Sequence, residues 1–168
     1  KAKHYNVTTE TMMALIRSIS HQLEVPSLAM NYEVAELADP KIQEILLAYL
    51  NANAQVQLIV ELNQMPDAKT FASIVSKYRE AGVRFVIDAA TTPGHFAAFA
   101  PVVQYFDIVK VPLAPKRDAV AEQALVANLS YWQHVCDVHH LQLALDGIEC
   151  DADMRLVDEF KVVYGQGN

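Results

Sequence analysis

Seven polar side chains recur at one kind of place in this sequence: Asn31 in AMNYE, Glu61 in IVELN, Asp88 in VIDAA, Lys110 in IVKVP, Asp146 and Glu149 in ALDGIE, and Gln166 in YGQG. Each follows a short apolar run. Asparagine and carboxylates are donors for a hard cation, and a lysine beside them suits an anionic substrate. Taken singly, each reads first as a turn former or helix cap. Glu149 fits the first turn of a following helix, where acids are favoured, and Lys110 fits a structural ion pair. The same placement after six successive runs weakens that account. Asp88 raises the sharpest question, because the stretch RFVIDAATTPGHFAAF gives it no charged partner before the next strand.

The elements that must position these residues alternate. Met12, Leu15, Ile16, Ile19 and Leu23 recur at helical spacing and predict a helix over Thr8 to Leu23. SLAMNY reads as a strand, and ADPKIQEILLAYL as a helix with Asp39 as N-cap and Pro40 at its first position. VQLIVEL is the second strand, and MPDAKTFASIVSKYREAG a helix closed by Gly82. VRFVID is the third strand, followed by a short helix around His95 to Val103. FDIVKVP is the fourth, with Pro112 expected to end its pairing. A long helix from Asp118 to about His139 precedes the strand LQLALD; a helix over Ala152 to Phe160 leads into the sixth strand, KVVYG.

Strands that are apolar nearly throughout and joined by helices imply a parallel sheet covered on both faces. The choice lies between a doubly wound open sheet and a barrel of the eightfold β/α type. No glycine-rich phosphate loop follows any strand, so the dinucleotide fingerprint that would favour the open sheet is missing. In a parallel β/α barrel, by contrast, the strand C-termini converge on one face, where active sites are built. Six visible strands against the eight of a closed barrel imply an incomplete one, with edges open to association or to a homodimer.

At 168 residues and 52% hydrophobic, the chain can bury a sizeable core as one domain, 1–168. Its 20 acids outnumber 13 bases that are spread along the chain, which argues against a DNA or RNA footprint. No apolar run approaches a membrane span, and KAKHYN has no signal-peptide core, so a cytoplasmic piece of a longer polypeptide without membrane contact of its own is expected. Cys136 and Cys150 read as reduced thiols. The cluster HVCDVHH gathers His134, Cys136, His139 and His140, but zinc sites draw on two separated pairs. Histidines favoured at a helix C-terminus explain it better.

In order, these landmarks resemble the EAL domain family, bacterial phosphodiesterases that linearise cyclic di-GMP on a modified β/α barrel with two divalent cations, magnesium or manganese. AMNYEVAEL resembles the strand ending in a metal-binding Asn, LIVELNQ the E-x-T-E motif, and VIDAATTPGHFAAF the D-D-F-G-T-G-Y-S-S loop. FDIVKVP resembles v-D-i-l-K-I-D, LALDGIE the A-E-G-V-E motif, and VYGQGN the closing Q-G-Y. The resemblance implies Asn31, Glu61 and Asp88 as remnant metal ligands, the same three with Lys110 as a ligand cradle, and Lys110, Asp146, Glu149 and Gln166 as remnants of catalysis.

The departures carry as much weight. The second aspartate of the D-D pair is Ala89, which cannot ligate a cation, and the last glutamate of E-x-T-E is Gln64. The glutamate opening A-E-G-V-E is Asp146, one methylene shorter, and displacements near an ångström can cost on the order of a hundredfold in rate. Pro112 replaces the last aspartate of the lysine segment. No E-A-L or E-x-L-x-R segment occurs, so the chain is expected to lack the family's first strand and its C-terminal end. The resemblance therefore implies a degenerate, non-catalytic regulatory module with no metal bound. It would act through a protein partner, with the apolar run Ala89, Ala90, Phe96, Ala97, Ala98, Phe99, Ala100 as a docking surface, or as a weak cyclic di-GMP receptor. The alternatives are an active enzyme using magnesium or manganese within a full-length protein, and an unrelated β/α enzyme using Glu61 and Lys110 as an acid-base pair in a closed pocket. That run also reads as a short amphipathic helix packed on the barrel.

Overall fold

The computed structural model describes Thr11, Ala14 and residues 27–62, 64–88, 93–114 and 117–167. The helix expected over Thr8 to Leu23 lies outside these, apart from Thr11 and Ala14, which are helical. Ala89 and Ala90 also lie outside.

Six strands form one parallel sheet: β1 (Ser27–Asn31), β2 (Gln57–Leu62), β3 (Arg84–Ile87), β4 (Ile108–Pro112), β5 (Gln142–Asp146) and β6 (Tyr164–Gln166). Their spatial order is their sequence order. A doubly wound sheet reverses order at a switch point, so this order settles the choice in favour of the barrel wall, here an open half-barrel. Helices α1 (Val34–Leu37), α2 (Pro40–Ala52), α3 (Ala68–Glu80), α4 (Phe96–Phe99), α5 (Ala119–His139) and α6 (Asp151–Glu159) make the crossovers.

Local chemistry sets most boundaries. Asp39 caps α2 through Lys41 N–H at 2.8 Å with Pro40 at the first turn, Asp67 caps α3 through Thr70 N–H at 2.8 Å, and Asp118 caps α5 through Ala121 N–H at 2.8 Å. Gly82 follows α3 at a φ of 82°, where a side chain would be strained. The helix expected over His95 to Val103 is instead a 3-10 turn (Pro93–His95), the single turn α4 and a second 3-10 stretch (Ala100–Tyr105). Pro101 lacks the N–H that a continuous helix would use there.

Two strand ends differ from expectation. Pro112 does not end its pairing: it stands opposite Asp146, and Leu113 N–H donates to Asp146 O at 2.7 Å. The alternation of backbone groups turns the proline nitrogen towards β3, whose ladder with β4 has already stopped at Val109. The last strand is Tyr164–Gln166 rather than KVVYG, because Lys161 takes a left-handed φ of 48° and the chain is still turning there.

Alternate side chains of the central strands, among them Leu58, Val60, Phe85, Ile87, Val109, Val111, Leu143 and Leu145, pack beneath the helices. Phe71 of α3 lies at their centre, with Phe85 edge-on at 5.3 Å and Phe106 stacked at 5.4 Å. Tyr78 of α3 donates its hydroxyl to Leu37 O at 2.8 Å, joining α3 to α1.

A second tie holds the loops after β4 and β5 together. The Arg117 guanidinium bonds Asp153, Glu122 Oε2 at 2.7 Å and Ala114 O at 2.7 Å. Asp153, only 2% exposed, also accepts from Glu149 N–H at 2.9 Å and Cys150 N–H at 3.2 Å. Burial alone would raise its pKa, but these N–H groups and the guanidinium bring it down to about 2. A carboxyl whose folded pKa is depressed contributes stability that is present above its unfolded value and lost as pH falls through the folded one. Asp153→Asn is therefore expected to lower stability at neutral pH by about 3 kcal/mol and to flatten the loss between about pH 4 and 2. Urea unfolding followed from neutral pH down through that range checks both.

Candidate functional site

Because strand side chains alternate, a residue two positions beyond an inward one also points inward. Ile59, Val86, Ile108 and Ala144 form a small buried cluster separate from the main core, on the sheet face opposite the helices. Two residues further along each strand lie Glu61, Asp88, Lys110 and Asp146. The four side chains thus share one face and one end of the sheet. That face is concave: Arg84 Nη1 of β3 reaches Tyr164 Oη of β6 at 2.7 Å, across three strand spacings of roughly 4.8 Å each on a flat sheet.

Three of these residues meet. The Lys110 ammonium lies 2.7 Å from Glu61 Oε2 and 3.0 Å from Asp88 Oδ2, its side chain 7% exposed against 13% and 24% for the two acids. Asp88 does have a partner, supplied by the next strand. Burial alone would depress the lysine pKa, but hydrogen bonds and attraction from both carboxylates outweigh it and hold it above its ordinary value. A lysine held in its charged form cannot serve as a base, so in a Glu61–Lys110 pair it could act only as the acid. The space beside it is a cleft of about 200 Å³, walled largely by Ala29, Ile59, Val86, Ile108 and Ala144.

The other expected residues spread along the rim. Asn31 is exposed and stands in register with Glu61. It also borders a larger hollow of about 460 Å³ between the loops after β1 and β2, which Gln64 shares. Asp146, Glu149 and Gln166 gather at the β6 edge instead. Gln166 O accepts from Gly147 N–H and Ile148 N–H, both at 2.9 Å, so its backbone secures the loop after β5. Glu149 is exposed and precedes α6, and its N–H bonds Asp153. Sequence reasoning passed over Asp153 and Arg117. An acid at the third position of a helix is a capping signal that could have marked Asp153, but nothing marked Arg117.

Neither alternative site survives as drawn. Phe99 is fully buried against Phe106 at 5.2 Å and Trp132 at 6.3 Å, and Phe96 packs on Trp132 and on His139 at 5.4 Å. Only Ala97, Ala98 and Ala100 of the described part of that run stay exposed, so the apolar docking surface loses its aromatic anchors to the core. In HVCDVHH, Cys136 is buried and its thiol is pushed up to about 12 by burial and by Asp137. His140 closes α5 in a left-handed conformation. The cluster ends a helix.

The donor set also decides whether the cations implied by the resemblance fit. A pair of cations about 4 Å apart requires several shared carboxylates. Among the described residues no group of three or more His, Cys, Asp and Glu is placed to hold a metal ion. Asn31, Glu61 and Asp88 offer one amide oxygen and two carboxylates, each of which has one oxygen on Lys110. Ala89 is outside the described residues, and an alanine brings no donor. The residues present do not fit a metal pair.

The model of the EAL domain matches residues 5–168. No curated protein matches the chain. Among solved structures, an EAL domain protein from Listeria monocytogenes EGD-e superposes with a TM-score of 0.62 at 15% identity, over 94% of this chain and 63% of that one. The manganese/cy-diGMP complex of Klebsiella pneumoniae BlrP1 gives 0.62 at 18%, over 94% and 41%. The FimX EAL domain from Pseudomonas aeruginosa bound to c-di-GMP gives 0.59 at 13%, over 94% and 66%. The chain thus spans between 41% and 66% of the length of these three. Among the described residues no helix is long and apolar enough to cross a membrane. Identities this low show the fold alone, but because the domain model matches nearly the whole of this chain, the chain belongs to the EAL domain family.

Proposed function

We propose that this chain is a non-catalytic regulatory member of its family: a single degenerate domain, 1–168, in the cytoplasm, that acts through a protein partner or a second copy and binds cyclic di-GMP weakly at most. The observation that carries this reading is the engagement of Lys110 by Glu61 and Asp88, 2.7 and 3.0 Å away. In that arrangement one oxygen of each acid and two of the lysine's three N–H donors are already engaged, so a cation or a phosphate would have to compete with an existing ion pair.

Electrostatics support the same reading. Among the described residues Glu61, Asp88, Asp146 and Glu149 bring four carboxylates to the strand ends beside Lys110, while Arg117 nearby is already paired with Asp153 and Glu122. Cyclic di-GMP carries two negative charges of its own. Without cations to invert that balance, the face repels the nucleotide that FimX and BlrP1 hold in their solved complexes. Asn31, Glu61, Asp88 and Lys110 keep the outline of a ligand cradle with the wrong charge for it.

Two measurements check this. Incubated with cyclic di-GMP and manganese, the chain is expected to show no linear product; turnover abolished by Glu61→Ala would establish an active phosphodiesterase. In calorimetry with cyclic di-GMP, no binding is expected at micromolar nucleotide, and micromolar affinity would make the chain a receptor instead.

A further inference from the structure

We propose that Lys110 is the resident cation of this site, its ammonium standing between Glu61 and Asp88 where a divalent ion would otherwise sit, so that the chain excludes metal through its own side chain. The proposal rests on the non-catalytic reading above and deepens it by naming the residue that closes the site to metal.

Three features carry it. First, the contacts are those of an ammonium: 2.7 and 3.0 Å are charge-assisted hydrogen-bond lengths, and they converge on one nitrogen from an acid of β2 and the acid that follows β3. A magnesium or manganese ion would draw the same oxygens to about 2.1 Å. Second, the lysine reaches Glu61 on β2 from β4, past β3, because all three inward positions lie on the concave face. No loop rearrangement is needed to bring it there. Third, a displaced lysine would exchange two carboxylate partners for neutral ones. Lys110 is 6% exposed, and the cleft beside it is walled mostly by apolar side chains such as Ile59, Val86 and Ile108, with the neutral polar residues Ser27, Tyr164 and Gln166 also on its lining. An ion entering between the carboxylates would leave the ammonium with those neutral partners beside a dication, which penalises both charges at once.

The test is a Mn²⁺ titration of the 168-residue chain without nucleotide, read by loss of the free-ion electron paramagnetic resonance signal and by thermal melting. The wild-type chain and Lys110→Arg, which keeps the positive charge, are expected to leave the signal and the melting temperature unchanged. Lys110→Met exposes two uncompensated acids beside Asn31 and is expected to bind Mn²⁺ roughly tenfold or more tighter than wild type and to melt higher in its presence. If Lys110→Met folds only when Mn²⁺ is added, that also supports the proposal. Wild-type binding as tight as that of Lys110→Met, no gain on losing the lysine, or a variant that stays unfolded with Mn²⁺ present would each overturn it. A wild-type chain that binds Mn²⁺ yet leaves cyclic di-GMP intact would sink the lysine proposal alone, whereas turnover would sink the non-catalytic reading.

Discussion

The two-residue period of a strand buried on both faces is the constraint on which the rest depends. Leu58, Val60 and Leu62 must turn under the helices, so Ile59 and Glu61 must turn the other way. The same parity on β3, β4 and β5 sends Val86 and Asp88, Ile108 and Lys110, and Ala144 and Asp146 to the concave face. A one-residue slip of any of these strands would exchange its core set with its site set. The geometry of the site and the packing of the core are therefore one specification. The outline of the site is kept because those positions are locked to the core by register.

What occupies the outline is an ion-paired trio. Truncating one member of a buried, hydrogen-bonded pair costs on the order of 3–5 kcal/mol, chiefly because the other charge is left behind. Glu61, Asp88 and Lys110 therefore hold each other in place, and their persistence needs no ligand to explain it. Arg117 with Asp153 obeys the same logic at the next pair of loops, where Asp153 fastens the backbone around Glu149 and Cys150. The rim near β6 is held by structural bonds in the same way as the cradle.

Much of this was legible in the sequence, for identifiable reasons. The strands announced themselves by apolar runs, α2 by its aspartate cap and following proline, and α3 by the glycine that closes it, because such signals act over a few residues. The convergence of strand-end polar residues followed once the sheet was taken as parallel. The partner of Asp88 was not legible, since Lys110 is 22 positions away and meets it only through the register of β3 with β4. The inward turn of Phe96 and Phe99 was hidden for a related reason: a four-residue helix offers too little period to say which side is buried, and Trp132 decides it from α5. The late start of β6 turned on a left-handed Lys161, a conformation that lysine type does not advertise.

The departures from the family pattern also fit one another physically. A cluster of acids at the mouth of a barrel repels itself unless something positive lies between them, and a metal is one solution. Once a ligand such as the residue at position 89 is an alanine, the remaining acids bind a cation less well, and the nearest permanent positive charge is the lysine on the next strand. An ammonium needs fewer donors than a divalent ion and accepts the wider spacing of 2.7 to 3.0 Å seen here. Gln64 and Pro112 stand where the family pattern has acids, which lessens the negative charge that Lys110 has to balance. On the proposal that Lys110 is the resident cation of the site, its retention and the missing acids are two sides of a single charge balance.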